Sequence, residues 1–483
     1  MRATVRAAAL GLLLVAGCKS GTEPPPPPPP ATKLAFLNQP GTVEGQVAWN
    51  PAIRVALQDA SGNTVTTATG AVTINLATNP AGASLAGTTT VQAVGGIATF
   101  TDLSLALPGD GFVLRAERPG LTAALGTAFS VRLTFVQVSV GGMHSCGVTI
   151  ANVVYCWGQN AGGQLGTGAV TPPQLQPVPV AGGLRFTQVS AGHVHTCGVI
   201  TANAAYCWGV NELGRLGDGT IAQREAPTAV SGGHQFAQIS AGDSHTCAVT
   251  VAGAAYCWGF SGNGRLGNPS ITDPTIPNPV IGNLTLTTVS AGDGHSCGIA
   301  TDSTGYCWGA NDAGELGDGS TAVRTGPVAV TGVARWIRLS TGANHSCGIS
   351  ADRALYCWGW NNHGQLGDGT LSDQHAPVPI LAGTEIAAVT TAYIYTCAIA
   401  TTRAAYCWGF NFDGQLGDNT FMNTHPSPTL VAGGLSFAQI SGRNAHTCAV
   451  TIARVAYCWG NDSEGELGNG TVAGSLTPWR VIQ

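Results

Sequence analysis

Short apolar runs of period two, broken by glycine-rich turns, fill the chain from residue 31 onward. Ile53, Val55 and Leu57 alternate with Arg54 and Ala56, and Val72, Ile74 and Leu76 alternate with Thr73 and Asn75. Ile97-Ala98-Thr99-Phe100 and Phe112-Val113-Leu114-Arg115-Ala116 repeat the pattern. That period predicts half-buried strands. About seven such runs in the cysteine-free stretch 31–133 predict a β-sandwich. From residue 134 onward the pattern itself recurs. A strand such as Phe186–Ala191 is followed by an "HxC" run, then "YCWG", then a "GxLG" turn. A strand opening at Pro177, Pro227, Pro277, Pro327, Pro377, Pro428 or Pro478 closes each unit. "YCWG" starts at Tyr155, Tyr206, Tyr256, Tyr306, Tyr356, Tyr406 and Tyr457, at spacings of 50 or 51 residues. Four strands per unit, seven times over, predict a seven-bladed β-propeller at 134–483. Proline at the fourth strand suits an edge, because it cannot donate to a ladder. A stacked solenoid would need atypical end units. The first and last units here are as regular as the rest, which favours a closed ring. The strand at 478–481 either locks that ring or pairs with the first strand near Phe135.

The N-terminus has a different pattern. Arg2 and Arg6 precede an apolar run at 7–17 and then Cys18. A basic start and an apolar core too short to span a bilayer predict a signal peptide over 1–17. Leu14-Val15-Ala16-Gly17-Cys18 resembles the bacterial lipobox, which implies lipidation of Cys18 and anchoring by acyl chains alone. Lys19 stands where an inner-membrane retention signal has Asp, so the resemblance points to the outer membrane or cell surface. Seven consecutive prolines at 24–30 predict an extended stalk, of about 3.1 Å per residue, within the segment 18–30.

Composition narrows the function classes. With 20 Lys and Arg against 25 Asp and Glu, the chain lacks the basic footprint of nucleic-acid binding. Charged residues make up only 9% and glycines number 68, which excludes a disordered polyelectrolyte and a helical array. No cofactor or metal motif appears.

Two family resemblances sharpen this. "RVALQDASGNTV" and "GIATFTDLSLALPGDGFVLRAE" look like bacterial immunoglobulin-like domains, which implies a spacer sandwich at 31–133. Over 135–483 the order "HSxxxTxxGxxYxWGxNxxGQLG" resembles the regulator of chromosome condensation repeat family, which implies the seven-bladed propeller. The family's namesake is an exchange factor for a nuclear GTPase. An exported chain would not meet that partner. The chain departs from the family in having cysteine after "HS" and between Tyr and Trp. The resulting pairs are Cys146 with Cys156, Cys197 with Cys207, Cys247 with Cys257, Cys297 with Cys307, Cys347 with Cys357, Cys397 with Cys407 and Cys448 with Cys458. A three-residue hairpin turn at Val251-Ala252-Gly253, with Gly253 left-handed, would set Cys247 opposite Cys257 at disulfide distance. Arg353, Arg403 and Arg454 fill that glycine position elsewhere, so their turns differ or carry strain. Seven disulfides fit an oxidising, exported location. Zinc held by a cysteine pair and the adjacent histidine would lack a fourth ligand.

No catalytic motif is present. His144, His195, His245, His295, His345 and His446 recur at one position, with Tyr395 replacing the sixth; a residue in nearly every unit is structural. Asp218, Asp318, Asp368 and Asp418 recur as turn caps. Asp243 and Asp293 occur only in units three and four and are the best enzymatic pair. Aromatics cluster in units five and six: Trp360, Phe410, Phe412, Tyr393 and Tyr395, with Phe260 in unit three. Such residues either anchor a partner or pack between blades. The expectation is a lipid-anchored cell-envelope protein that is not an enzyme and presents a protein- or glycan-binding face. The alternatives are an enzyme inhibitor and a propeller lyase or hydrolase.

Overall fold

The computed structural model describes residues 29–482. The segment carrying Arg2, Arg6 and Cys18, and most of the proline run, lies outside the described residues. The described residues are all-β apart from one 3-10 turn at Gly262–Gly264. The first part of the chain forms two larger sheets and a two-stranded one, Leu85–Ala86 with Ser104–Leu105. Lys33–Phe36, Ile53–Gln58 and Ile97–Phe100 make a three-stranded sheet. The second sheet runs Thr42–Glu44, Phe129–Arg132, Gly109–Glu117, Gly70–Thr78, Thr90–Ala93, with only its first pair parallel. The alternating residues of the sequence pattern face inward. Val55, Leu57, Val72, Ile74, Phe100, Phe112 and Leu114 are buried together with Trp49 and Phe129. This unit docks on the first blade through Tyr155, whose hydroxyl donates to Ala106 O at 2.8 Å. Thr134 N also donates to the Glu44 carboxylate at 2.9 Å.

Seven four-stranded antiparallel sheets follow, each made of consecutive strands. Blade one is Phe135–Val140, His144–Thr149, Val154–Gly158 and Gln174–Pro179, running from the central channel outward. Blade seven is Phe437–Arg443, His446–Thr451, Ala456–Gly460 and Ser475–Arg480. Blades two to six span 186–229, 236–279, 286–329, 336–380 and 386–430. The final strand pairs within its own blade and not with the strand at Phe135. Closure therefore rests on side chains. Trp157 Nε1 donates to Glu466 O at 2.7 Å, Gln439 bridges Val138, and Ser441 Oγ accepts from Val140 N.

The same chemistry joins the other blades. The tryptophan of each "YCWG" is fully buried and reaches the preceding blade, as Trp208 Nε1 does to Gln164 O at 2.9 Å. The close fit explains the "GxLG" glycine: a Cβ on Gly217, at φ 71°, would lie 2.6 Å from Trp258 Nε1. Each ring histidine bonds a hydroxyl of the next blade, from His144···Thr196 at 2.8 Å round to His446···Ser145 at 2.9 Å. The hydroxyl donates on to a carbonyl, as Thr196 Oγ1 does to Gln164 O, so each histidine is the donor at Nε2. Burial holds His144, His295, His345 and His446 down to a pKa of about 3.

Within each blade a disulfide ties the second strand to the third. Cys146 bonds Cys156 in blade one, Cys197 bonds Cys207 in blade two, and Cys247 bonds Cys257 in blade three. Cys297 bonds Cys307, Cys347 bonds Cys357, Cys397 bonds Cys407 and Cys448 bonds Cys458 in the remaining four. In every pair the two cysteines are direct cross-strand partners, from Cys146 opposite Cys156 to Cys448 opposite Cys458. Their Cα atoms lie 4.0–4.1 Å apart. All fourteen are fully buried between blades, so they staple the scaffold and take no part in its surface. The seven hairpin turns that join them share one geometry. The residue at the third turn position is left-handed, including Arg353 (φ 65°), Arg403 (φ 75°) and Arg454 (φ 61°). The arginine turns therefore do not differ; they take the conformation that L side chains disfavour.

A recessed candidate binding face

Strands alternate in direction, so the turns after first strands and the long loops after "YCWG" share one face. The cysteine-paired hairpin tips, such as Val251, lie on the other. On the first face the blades are alike except at a few positions, and those positions build a site.

The residue two before the ring-histidine position is Gly142, His193, Asp243, Asp293, Ala343, Tyr393 or Asn444. These tips ring the channel mouth. In blade seven Arg443 replaces the glycine that precedes the tip, as in Gly242 or Gly292. Its guanidinium crosses the mouth and meets the Asp293 carboxylate at 2.9 Å, from a position 150 residues away. Asn444 Nδ2 donates to Gly142 O at 3.0 Å. Burial pushes the Asp293 carboxyl up while Arg443 opposes the shift. Burial and then Arg443 hold the His193 imidazole below its ordinary value. Asp243 and Asp293, the pair marked by the sequence, thus sit at one mouth, with Asp293 committed to an ion pair.

A second varied position lies in the "GxLG" turn: Gln164, Arg215, Arg265, Glu315, Gln365, Gln415 and Glu466. Arg265 is buried, with its guanidinium bonding Gly262 O, Asp293 O and Ser244 Oγ. It also lies 4.6 Å from the Phe260 ring. Between blades three and six this leaves a groove of about 580 Å³, walled by Asp293, Asp312, Glu315, Asp373, Trp360 and Tyr393. Asp312, Glu315 and Asp373 have no ion-pair partner among the described residues. Glu315 is 1% exposed, and its carboxyl is pushed up by burial and then by Asp312 and Asp373.

From Trp360 an aromatic row leaves the groove across the loops of blades five and six. Trp360 meets His363 edge-on at 5.4 Å, His363 meets Phe410 at 5.1 Å, and Phe410 stacks on Phe412 at 4.6 Å. Phe412 and Tyr393 are about half exposed, and Phe260 is exposed in blade three beside Arg265. Five of the six aromatics marked by the sequence therefore lie on this face. Tyr395 does not. It occupies the ring-histidine position, is fully buried, and bonds His446 O and Thr447 Oγ1 at 2.6 and 2.8 Å. Its periodicity with the histidines marks it as a core residue. His363, Arg265, Arg443, Asp312 and Asp373 belong to the site without a motif of their own; their signal is variation at repeated positions.

Seven four-stranded sheets closed on themselves, with one face diversified, define a β-propeller of RCC1 type, a binding scaffold. The chain belongs to the RCC1-like domain family, whose model matches residues 102–442. A probable E3 ubiquitin-protein ligase HERC4 of Rattus norvegicus is 37% identical over 97 residues, covering 20% of this chain and 9% of that protein. The ultraviolet-B receptor UVR8 of Arabidopsis thaliana is 35% identical over 95 residues, 19% of this chain and 21% of that protein. The matched stretch is thus a small part of either relative. Human WBSCR16 shares the fold, with a TM-score of 0.63 at 19% identity over 69% of this chain and 94% of its own. Yeast RCC1 (Prp20), solved bound to Kap60, gives 0.60 at 19% identity over 70% and 85%.

Proposed function

We propose that this chain is a lipid-anchored, non-enzymatic binding module of the cell envelope. Cys18 is its acylated residue, the proline run its stalk, and the first two sheets an immunoglobulin-like spacer. The propeller face bearing the aromatic row is its capture surface for a protein or glycan. The observation that carries this reading is the row itself. Trp360, His363, Phe410 and Phe412 form one continuous aromatic strip opening into a groove, on the face where the repeats diverge. Aromatic anchors beside a recess are how interfaces concentrate binding energy. Loops on a rigid scaffold are where function accumulates. Export is supported by the basic-apolar start of the sequence and by seven disulfides, which persist in oxidising compartments. No helix among the described residues is long and apolar enough to cross a membrane, so acyl chains would supply the attachment.

The test is capture from envelope extracts and glycan arrays by the oxidised protein, beside the Trp360→Ala/Phe410→Ala/Phe412→Ala variant. A specific partner retained by the wild type and lost by a folded variant supports the reading. Equal capture by both removes the aromatic face from it.

A further inference from the structure

The aromatic strip explains one wall of the groove but not its charge. Of the carboxylates around it, Asp293 is met by Arg443, and Asp243 lies within 3.9 Å of His193. Asp312, Glu315 and Asp373 remain without an ion-pair partner among the described residues. They come from blades four and five and face the same recess as Trp360 and Tyr393. Three carboxylates around one recess repel each other, and the cost grows as water is excluded. The Glu315 carboxyl, pushed up first by burial, is pushed further by Asp312 and Asp373. Arg265 also lines the recess, but its guanidinium bonds Gly262 O, Asp293 O and Ser244 Oγ and its charge couples to Asp243 and Asp293, which leaves Asp312, Glu315 and Asp373 without a cation of their own.

We infer that the groove receives lysine or arginine side chains of an extended basic polypeptide, with the carboxylates of Asp312 and Asp373 and the rings of Trp360 and Tyr393 lining the same recess. The inference rests on the reading of this face as a capture surface and narrows its ligand. An ammonium or guanidinium group compensates the carboxylates and is also drawn to aromatic faces. The cavity, about 580 Å³, is in the range that holds a ligand larger than one side chain. A neutral sugar can donate hydroxyls to carboxylates, but it leaves the excess charge in place. The strip of His363, Phe410 and Phe412 lets flanking apolar residues of the same segment continue outward.

The experiment is calorimetric titration of the full chain with octalysine, a neutral Gly-Ser octapeptide and an N-acetylglucosamine hexamer. Asp312→Asn/Asp373→Asn is compared with Glu385→Gln, which alters charge away from the groove. Asp312 and Asp373 are exposed, and asparagine keeps the acceptor that Asp373 offers to Asn361 N, so the double variant folds. Octalysine is expected to bind, to weaken as salt is added, and to lose about tenfold or more in affinity in the double variant. Glu385→Gln should bind like the wild type. Failure of octalysine to bind, or equal affinity in the double variant, overturns the inference. Binding of the neutral hexamer in place of octalysine also overturns it, and that result leaves the capture surface itself intact.

Discussion

Replacing Asp462 with asparagine would restore in blade seven a bond set that other blades possess. At this position Asn211 donates from Nδ2 to Asp218 Oδ1, Thr220 O and Ala222 O at 3.1, 3.0 and 3.1 Å. Its Oδ1 accepts from Leu216 N at 3.0 Å. Asn311, Asn361 and Asn411 do the same with their own loops. Asp462 keeps the acceptor half, taking Leu467 N at 2.8 Å. Its Oδ2 is buried with no hydrogen-bond partner, in the place where those blades put an amide. Burial pushes the Asp462 carboxyl up to about 7, with the Leu467 N–H opposing the shift and Glu466 adding repulsion. An unfolded aspartate titrates near 3.9, so the folded state holds the proton more tightly. That contribution is complete below about pH 4 and is lost as pH rises through about 7. Between pH 5 and pH 8 the wild type should lose roughly 2–3 kcal/mol that the variant keeps. Thermal unfolding of both proteins at pH 5, 6.5 and 8 measures this as a growing difference in midpoint. A difference independent of pH, or a variant less stable at pH 8, would refute the argument.

The histidine ring has the opposite sign. His144, His295, His345 and His446 are held by burial at about 3, and His195 and His245 well below their ordinary value. Their contribution is full above about pH 6.5 and is lost as pH falls toward 3; circular dichroism should show cooperative unfolding in that window, and a protein intact at pH 3 would contradict it. In the hairpin turns, Arg353→Gly, Arg403→Gly and Arg454→Gly should each stabilise by about 1 kcal/mol, since glycine accepts positive φ freely. Gly253→Ala should destabilise, because its Cβ would lie 2.5 Å from Thr285 Cγ2. Denaturant midpoints check both signs.

What is legible in the sequence follows from periodicity. Seven "YCWG" segments one blade apart announce seven sheets. The cysteine pairs, Cys146 with Cys156 through Cys448 with Cys458, announce their own partners, because both signals are local and repeated. The proline at each fourth strand marks the outer edge for the same reason. Contacts across the ring have no such signature. Nothing near Arg443 indicates that it reaches Asp293, and closure by Trp157, Gln439 and Ser441 depends on residues about 300 positions apart. Tyr395 shows the error that composition alone invites: an aromatic beside other aromatics reads as a binding residue, while its place in the repeat puts it in the core. Asp312 and Asp373 carry no signal of their own because acidic residues in loops are ordinary; only their convergence on Trp360 gives them meaning.

The claim that the aromatic face captures a partner is tested most directly by photo-crosslinking in the native cell. One probe replaces Phe412, in the strip, and another replaces Val251, exposed on the opposite face. The account predicts a discrete adduct from position 412 that disappears when Trp360→Ala/Phe410→Ala is added, and none from position 251. An adduct from position 251 alone would place the binding surface on the disulfide-stapled face and contradict it.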